Sequence, residues 1–136
     1  MLAVKPIPDN EISREICKHC GVPYDAESFT YFAADVNEDA TKLNYIIGIC
    51  TFKMKGNINR IEYIKQADGI DDEEAMIIMA RTVMNFMYRC QVVDVGINEE
   101  NVPEDFIKKL GFRKTEKGYF INLPDFYKSP CSYTGK

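Results

Sequence analysis

The 136-residue chain is 46% hydrophobic and 28% charged with a formal net charge of −4, a globular composition whose length suits one domain, residues 1–136, with its own core. Its Lys and Arg form no stripe, which argues against nucleic acid as the main partner, and no apolar run approaches the roughly 18 residues of a membrane helix. Met1 to Pro6 lacks the charged-then-apolar layout of a signal peptide, so a cytoplasmic location is expected, with the five irregularly spaced cysteines as free thiols.

Leu2 to Ile7 is a short apolar stretch ended by Pro6 and Pro8, as in an edge strand. Asp9 or Asn10 caps a helix in which Ile12, Ile16 and Cys20 share one face, and Gly21 suits the position that ends it. Pro23 to Ser28 reads as a turn, Phe29 to Val36 as a strand and Asn37 to Thr41 as a hairpin loop. Tyr45 to Lys55 is the longest strand candidate, with Gly48 marking a bulge. The Gly56-Asn57 turn joins it to Ile58 through Lys65 as an antiparallel hairpin.

The run from Arg60 to Phe112 organises the chain. Its strand leads into a Gly-containing turn, Gln66 to Ile70, and then into a long helix beginning at Asp71 or Asp72. Asp71 and Glu74 have the spacing of a capping box, and the acids suit the positive end of the helix dipole. Met76, Met79, Ala80, Val83, Met84 and Met87 form one apolar face, widened by Ile77, Ile78 and Phe86, and that pattern predicts a helix packed on the sheet. Val92 to Ile97 is a buried strand. Pro103 opens a short helix with Phe106, Ile107 and Leu110 pointing inward, closed by Gly111. Phe112 to Thr115 and Tyr119 to Leu123 form a last hairpin around Lys117-Gly118, and the chain from Ser129 onward frays. Antiparallel strands followed by a strand-helix-strand unit predict a mixed α/β (α+β) fold: a mostly antiparallel sheet with a central βαβ unit and flanking helices.

Ile97-Asn98, the short helix and Leu110-Gly111-Phe112 resemble the strand-Asn-helix-"Leu-Gly-Phe" ending of the GNAT superfamily, whose members move acyl groups from acyl-coenzyme A to amines. The resemblance implies a GNAT-like fold, acetyl-coenzyme A as co-substrate and an amine acceptor; a homodimer is compatible with it. In that family the turn after the fourth strand reads Arg/Gln-x-x-Gly-x-Gly/Ala and binds the coenzyme A pyrophosphate through backbone amides. Here Gln66 and Gly69 fit, Asp71 stands where Gly or Ala is expected, and Asp68, Asp72, Glu73 and Glu74 add negative charge. By the same resemblance Tyr63 and Ile64 hold the pantetheine arm, while Gln66, Gly69, Ile70, Asp71 and Asn98 complete the cofactor-binding set. The family's general-acid Tyr, three residues before Leu-Gly-Phe, is Ile107 here. Tyr119 and Tyr127 are the substitutes the sequence offers.

Glu62 is the base candidate. Alternation puts Ile58, Arg60, Glu62 and Ile64 on one face of the strand, opposite Ile61, Tyr63 and Lys65. A carboxylate there resembles the family's general base, and a cross-strand pair with a Lys of the preceding strand is the plainer alternative. Asn98 reads as a substrate contact beyond the fifth strand or, more plainly, as a turn residue. Cys17-Lys18-His19-Cys20 is half a zinc knuckle without a second pair, so no metal is expected, and His19, the only histidine, is expected in solvent. Two functions stay open: an acyl-coenzyme A-dependent N-acyltransferase, and a catalytically silent binding module of the same fold, which Ile107 and the acidic turn favour.

Overall fold

The computed structural model describes residues 1–128; the expectation of a frayed tail falls on residues 129–136, outside the described part. Among the described residues, seven strands form one sheet: β1 (Leu2–Pro6), β2 (Phe29–Val36), β3 (Leu43–Lys55), β4 (Ile58–Gln66), β5 (Asp94–Ile97), β6 (Arg113–Thr115) and β7 (Gly118–Asn122). Their spatial order is β1-β2-β3-β4-β5-β7-β6. Only β4 and β5 run parallel; every other neighbouring pair is antiparallel. The connection between the parallel pair is helix α2 (Glu73–Arg89), the crossover that parallel strands require. This is the mixed, mostly antiparallel sheet with a central βαβ unit that the sequence predicts.

Adjacent strand residues face opposite sides of a sheet, and the two sides here have separate cores. On one, Met76, Met79, Ala80, Val83, Met84 and Met87 of α2 are buried against Cys50, Phe52, Ile61 and Ile64. Gly48 of β3 permits this approach. A Cβ there would come within 2.6 Å of the Lys65 carbonyl oxygen and 2.7 Å of the Met76 side chain. The neighbouring register shift, Ala33 opposite Gly48 and Ala34 opposite Ile46, leaves Ile47 as the extra residue of the expected bulge. Ile78, expected on the inner face of α2, is exposed instead.

On the other side lies α1 (Asn10–Cys20), capped by Asp9, whose carboxylate accepts from the N–H groups of Glu11 and Ile12. Its buried stripe is Ser13, Cys17 and Cys20, whereas Ile12 is 52% exposed. The expected stripe was one residue out of phase at its start. Burial of Ser13 is made possible by Thr30 of β2, whose Oγ1 lies 2.8 Å from the Ser13 hydroxyl. A paired hydroxyl carries little burial penalty.

Three further boundaries differ from expectation. The cap of α2 is Asp72, whose carboxylate accepts from Ala75 N, and not the Asp71/Glu74 box. β5 begins at Asp94 because Val92 N–H donates to the Met87 carbonyl and so belongs to the end of α2. After β7 the chain forms α4 (Leu123–Lys128), begun by Asn122, whose side-chain oxygen accepts from Asp125 N. Helix α3 (Glu104–Leu110) buries Phe106, Ile107 and Leu110 and ends at Gly111, φ +103°, as expected.

Candidate functional site

The site follows from where β4 and β5 part. They pair only through Arg60 opposite Gly96 and Ile61 opposite Ile97. Beyond Ile97 the chain turns at Asn98, whose N–H donates to Ile61 O at 2.9 Å and whose Oδ1 accepts from Glu100 N at 3.0 Å. Asn101 Nδ2 then donates to Glu62 O at 3.0 Å, and β4 from Tyr63 to Gln66 runs on without a strand partner on that side. Asn98 is thus a turn residue, and its Nδ2 also lies 3.5 Å from Glu62 Oε1, at the limit of a hydrogen bond.

Glu62 is itself an irregularity. The β3–β4 register passes from Thr51 opposite Tyr63 to Phe52 opposite Ile61, so Glu62 is an extra, unpaired residue, a β-bulge at the point of divergence. The bulge breaks the expected alternation. Ile61 and Ile64, three apart, both enter the α2-side core, while Tyr63 packs on the α1 side; Ile64 and Glu62 therefore do not share a face. The Glu62 carboxylate is held by Arg60, whose Nε donates to Oε2, and its side chain is 12% exposed. No Lys of β3 pairs with it: Lys53 pairs with Asp25 at 3.0 Å and Lys55 with Glu27.

On the α1 side Glu62 opens into a cavity of about 400 Å³ whose lining includes Cys17, Tyr24, Asp25, Thr51 and Tyr63. Tyr24 and Asp25 carried no signal in the pattern of the sequence, since the loop from Pro23 to Ser28 reaches β4 only through the tertiary fold, while Thr51 comes from β3, opposite Tyr63. Asp25 has its carboxyl held below the usual range, chiefly by the Glu27 N–H and then by Lys53.

On the opposite face a second cavity, about 320 Å³, lies between β4, the start of α2 and α3, with Ile64, Gln66, Glu73, Phe106 and Lys109 in its wall. Lys109 Nζ donates to Glu73 Oε1 at 2.8 Å, joining α3 to α2. At its edge is the Gln66-to-Asp72 turn. Gln66 Oε1 accepts from Asp72 N, Ala67 N–H donates to Ile47 O and Ile70 N–H to Ala67 O. Among the described residues nothing accepts from the N–H groups of Asp68, Gly69 and Asp71. Gly69, φ +79°, has open space around it, the kind of backbone concavity that suits an anion. Of the acids here, Asp72 caps an amide, and that amide is Ala75, inside the helix. The site residues expected from the sequence thus divide between the two faces: Glu62 and Tyr63 on one, Ile64 and Gln66 on the other, with Gly69, Ile70 and Asp71 in the turn and Asn98 at the divergence.

Neither expected proton donor borders these cavities. Tyr119 donates its hydroxyl to Glu104 on α3, and that hydrogen bond, with burial second, pushes its pKa up to about 12. Tyr127 stacks on Tyr88 at 4.7 Å, near the far end of α2. Ile107 is fully buried, and Asp105, Phe106 and Lys109 are the α3 residues that line the groove. His19 is exposed. Cys17 and Cys20 face the sheet, where burial raises both thiols, Cys20 to about 11. Among the described residues no group of three or more His, Cys, Asp or Glu is gathered to hold a metal, and no helix is long and apolar enough to cross a membrane.

No family model matches the sequence, and no curated protein matches it. Solved structures match in fold. An IAA acetyltransferase from Bacillus cereus superposes with a TM-score of 0.63 at 14% identity, over 85% of this chain and 79% of its own. An aminoglycoside 6'-acetyltransferase type Ii gives 0.62 at 9%, over 89% and 97%. The PaiA N-acetyltransferase of Thermoplasma acidophilum, solved with coenzyme A, gives 0.57 at 11%, over 88% and 96%. At such identities the likeness speaks to architecture, a mixed α+β sheet with flanking helices.

Proposed function

We propose that this chain, built on the GNAT fold, is an acyl-coenzyme A-dependent N-acyltransferase that transfers an acetyl group directly to a small amine. The observation that carries the reading is the divergence of β4 and β5 at Glu62, with a polar cavity on one face of β4 and a groove on the other. In this reading the open edge of β4 around Tyr63 and Ile64 receives the pantetheine amides, and the free N–H groups of Asp68, Gly69 and Asp71 receive the pyrophosphate. The amine enters from the α1 side. Glu62, oriented by Arg60 and adjacent to Asn98, takes a proton from the ammonium group and leaves a neutral nitrogen. That nitrogen forms the new C–N bond at the thioester carbonyl while the C–S bond breaks. The thiolate takes its proton from solvent, since Ile107 and Phe106 supply none; the product amide nitrogen releases its second proton to solvent, and Glu62 returns its own proton to solvent before the next turnover.

The silent-module reading draws on the Lys109–Glu73 pair beside the groove and on the carboxylates of the turn. Calorimetric titration of acetyl-coenzyme A into the protein separates the two. Micromolar binding that weakens for 3'-dephospho- and pyrophosphate-truncated analogues is the expected result. Absence of heat and of thermal stabilisation at millimolar ligand favours the module.

A further inference from the structure

Among the described residues, Glu62 and Asp25 are the only charged ones in the wall of the α1-side cavity; the rest of that wall is hydroxyl-bearing or small. The basic residues that neutralise them approach from outside the lining, Arg60 at Glu62 and Lys53 at Asp25. One carboxylate comes from β4 and the other from the loop preceding β2, so the cavity holds two separately anchored negative charges. Asp25 is fixed on its own side, with Oδ1 accepting from Glu27 N at 2.9 Å. Its partner Lys53 belongs to a pair whose Asp25 side chain is 44% exposed, and pairs this exposed exchange readily.

An independent sign comes from Thr51. The residue is only 5% exposed and lines the cavity, yet among the described residues its hydroxyl has no hydrogen-bond partner. The oxygen is open to the cavity rather than sealed in the core, so it can accept from a donor that enters. An ammonium or amine N–H supplies one. A ligand carboxylate would meet Asp25 and Glu62 with like charge.

We infer that the cavity takes a small aliphatic diamine, with the reacting nitrogen at Glu62, the distal ammonium at Asp25 and an N–H given to Thr51. The inference rests on the transferase reading for the reaction, but not for the binding. A volume of about 400 Å³ is at the lower end of ordinary small-molecule sites, in keeping with a short chain.

The test uses 1,4-diaminobutane, 4-amino-1-butanol and 4-aminobutanoate, alike in length but carrying a positive, neutral or negative distal group. With saturating acetyl-coenzyme A, thiol release should give a kcat/KM for the diamine about tenfold above the amino alcohol, with 4-aminobutanoate lowest. In Asp25→Asn that ratio should collapse to about one. The same three compounds titrated calorimetrically without acetyl-coenzyme A should keep the order in affinity. Loss of acetyl-coenzyme A binding with diamine affinity intact would sink the transferase reading and leave the pocket assignment standing. Acetyl-coenzyme A binding without any preference among the three compounds would overturn the diamine alone. So would a preference that survives in Asp25→Asn, or no binding of any of the three.

Discussion

Glu62 owes its place to one unpaired position in a ladder. As the extra residue of a bulge it leaves the alternation of β4, and Arg60 and Asn98 fix its carboxylate at the divergence. If it is the base, Glu62→Gln should lower amine-dependent turnover about a hundredfold or more, with acetyl-coenzyme A affinity retained in a parallel titration. Tyr119 offers a test unrelated to catalysis. Its hydroxyl is held protonated by Glu104, and a group whose pKa is raised on folding contributes stability below its unfolded pKa and loses it as pH rises through the folded one. The window therefore runs from about pH 10, the ordinary phenol value, to about 12. Urea midpoints of the wild type and Tyr119→Phe should differ at pH 9 and converge across that window. The sequence made Glu62 visible as a carboxylate near the end of a strand. The face it occupies was not legible, because a bulge is a property of β3 and β4 together. Asp25 was hidden because only the folded loop brings it to β4, whereas Thr51 stands opposite Tyr63 in the β3–β4 hairpin and was hidden only in the face it takes.

Among the elements, α2 was the plainest in the sequence, since six of its apolar positions repeat at helical spacing and all six are buried. Its first residue was harder to read. Four acids precede or begin the helix, each competent to cap, and the choice of Asp72 depends on how Gln66 Oε1 takes the Asp72 N–H and folds the turn. Asp72→Ala should cost about 0.5–2 kcal/mol of stability, whereas Asp71→Ala should change it by no more than about 0.5 kcal/mol; chemical denaturation distinguishes them. The same turn bears on ligand affinity. Two unit charges about 4 Å apart repel by about 1 kcal/mol in water. An Asp68→Asn, Asp71→Asn double variant should thus bind acetyl-coenzyme A more tightly, by several-fold or more in a titration at low salt, and the gain should shrink as salt rises. Helix α4 was missed although Asn122 with Pro124 just behind it is a start signal; the apolar run through Leu123 read more readily as strand.

For the molecule as a whole, the sheet separates two cores, and Ile70 packs against both. Gly48 sets how closely α2 sits on the sheet, because the packing of Met76 needs the space a Cβ would take. Gly48→Ala should destabilise by about 1–3 kcal/mol, and hydrogen exchange should show the loss across α2. The general architecture could be read from the order of strands and helices. The pairing that ends after two residues between β4 and β5 could not, since it depends on Asn98 and Asn101 taking carbonyls that a longer strand would have used. If the chain is the transferase proposed above, that interruption has a kinetic consequence. A wall with a slit lets two reactants arrive from opposite sides, so neither has to leave before the other enters. Nor is a thiol poised to carry the acetyl in between: Cys50 is enclosed with its thiol pushed far up by burial, and the Cys17 thiol is raised as well. Initial-rate lines measured against one substrate at several fixed levels of the other should therefore intersect. Parallel lines would mean that the acetyl group pauses on the protein.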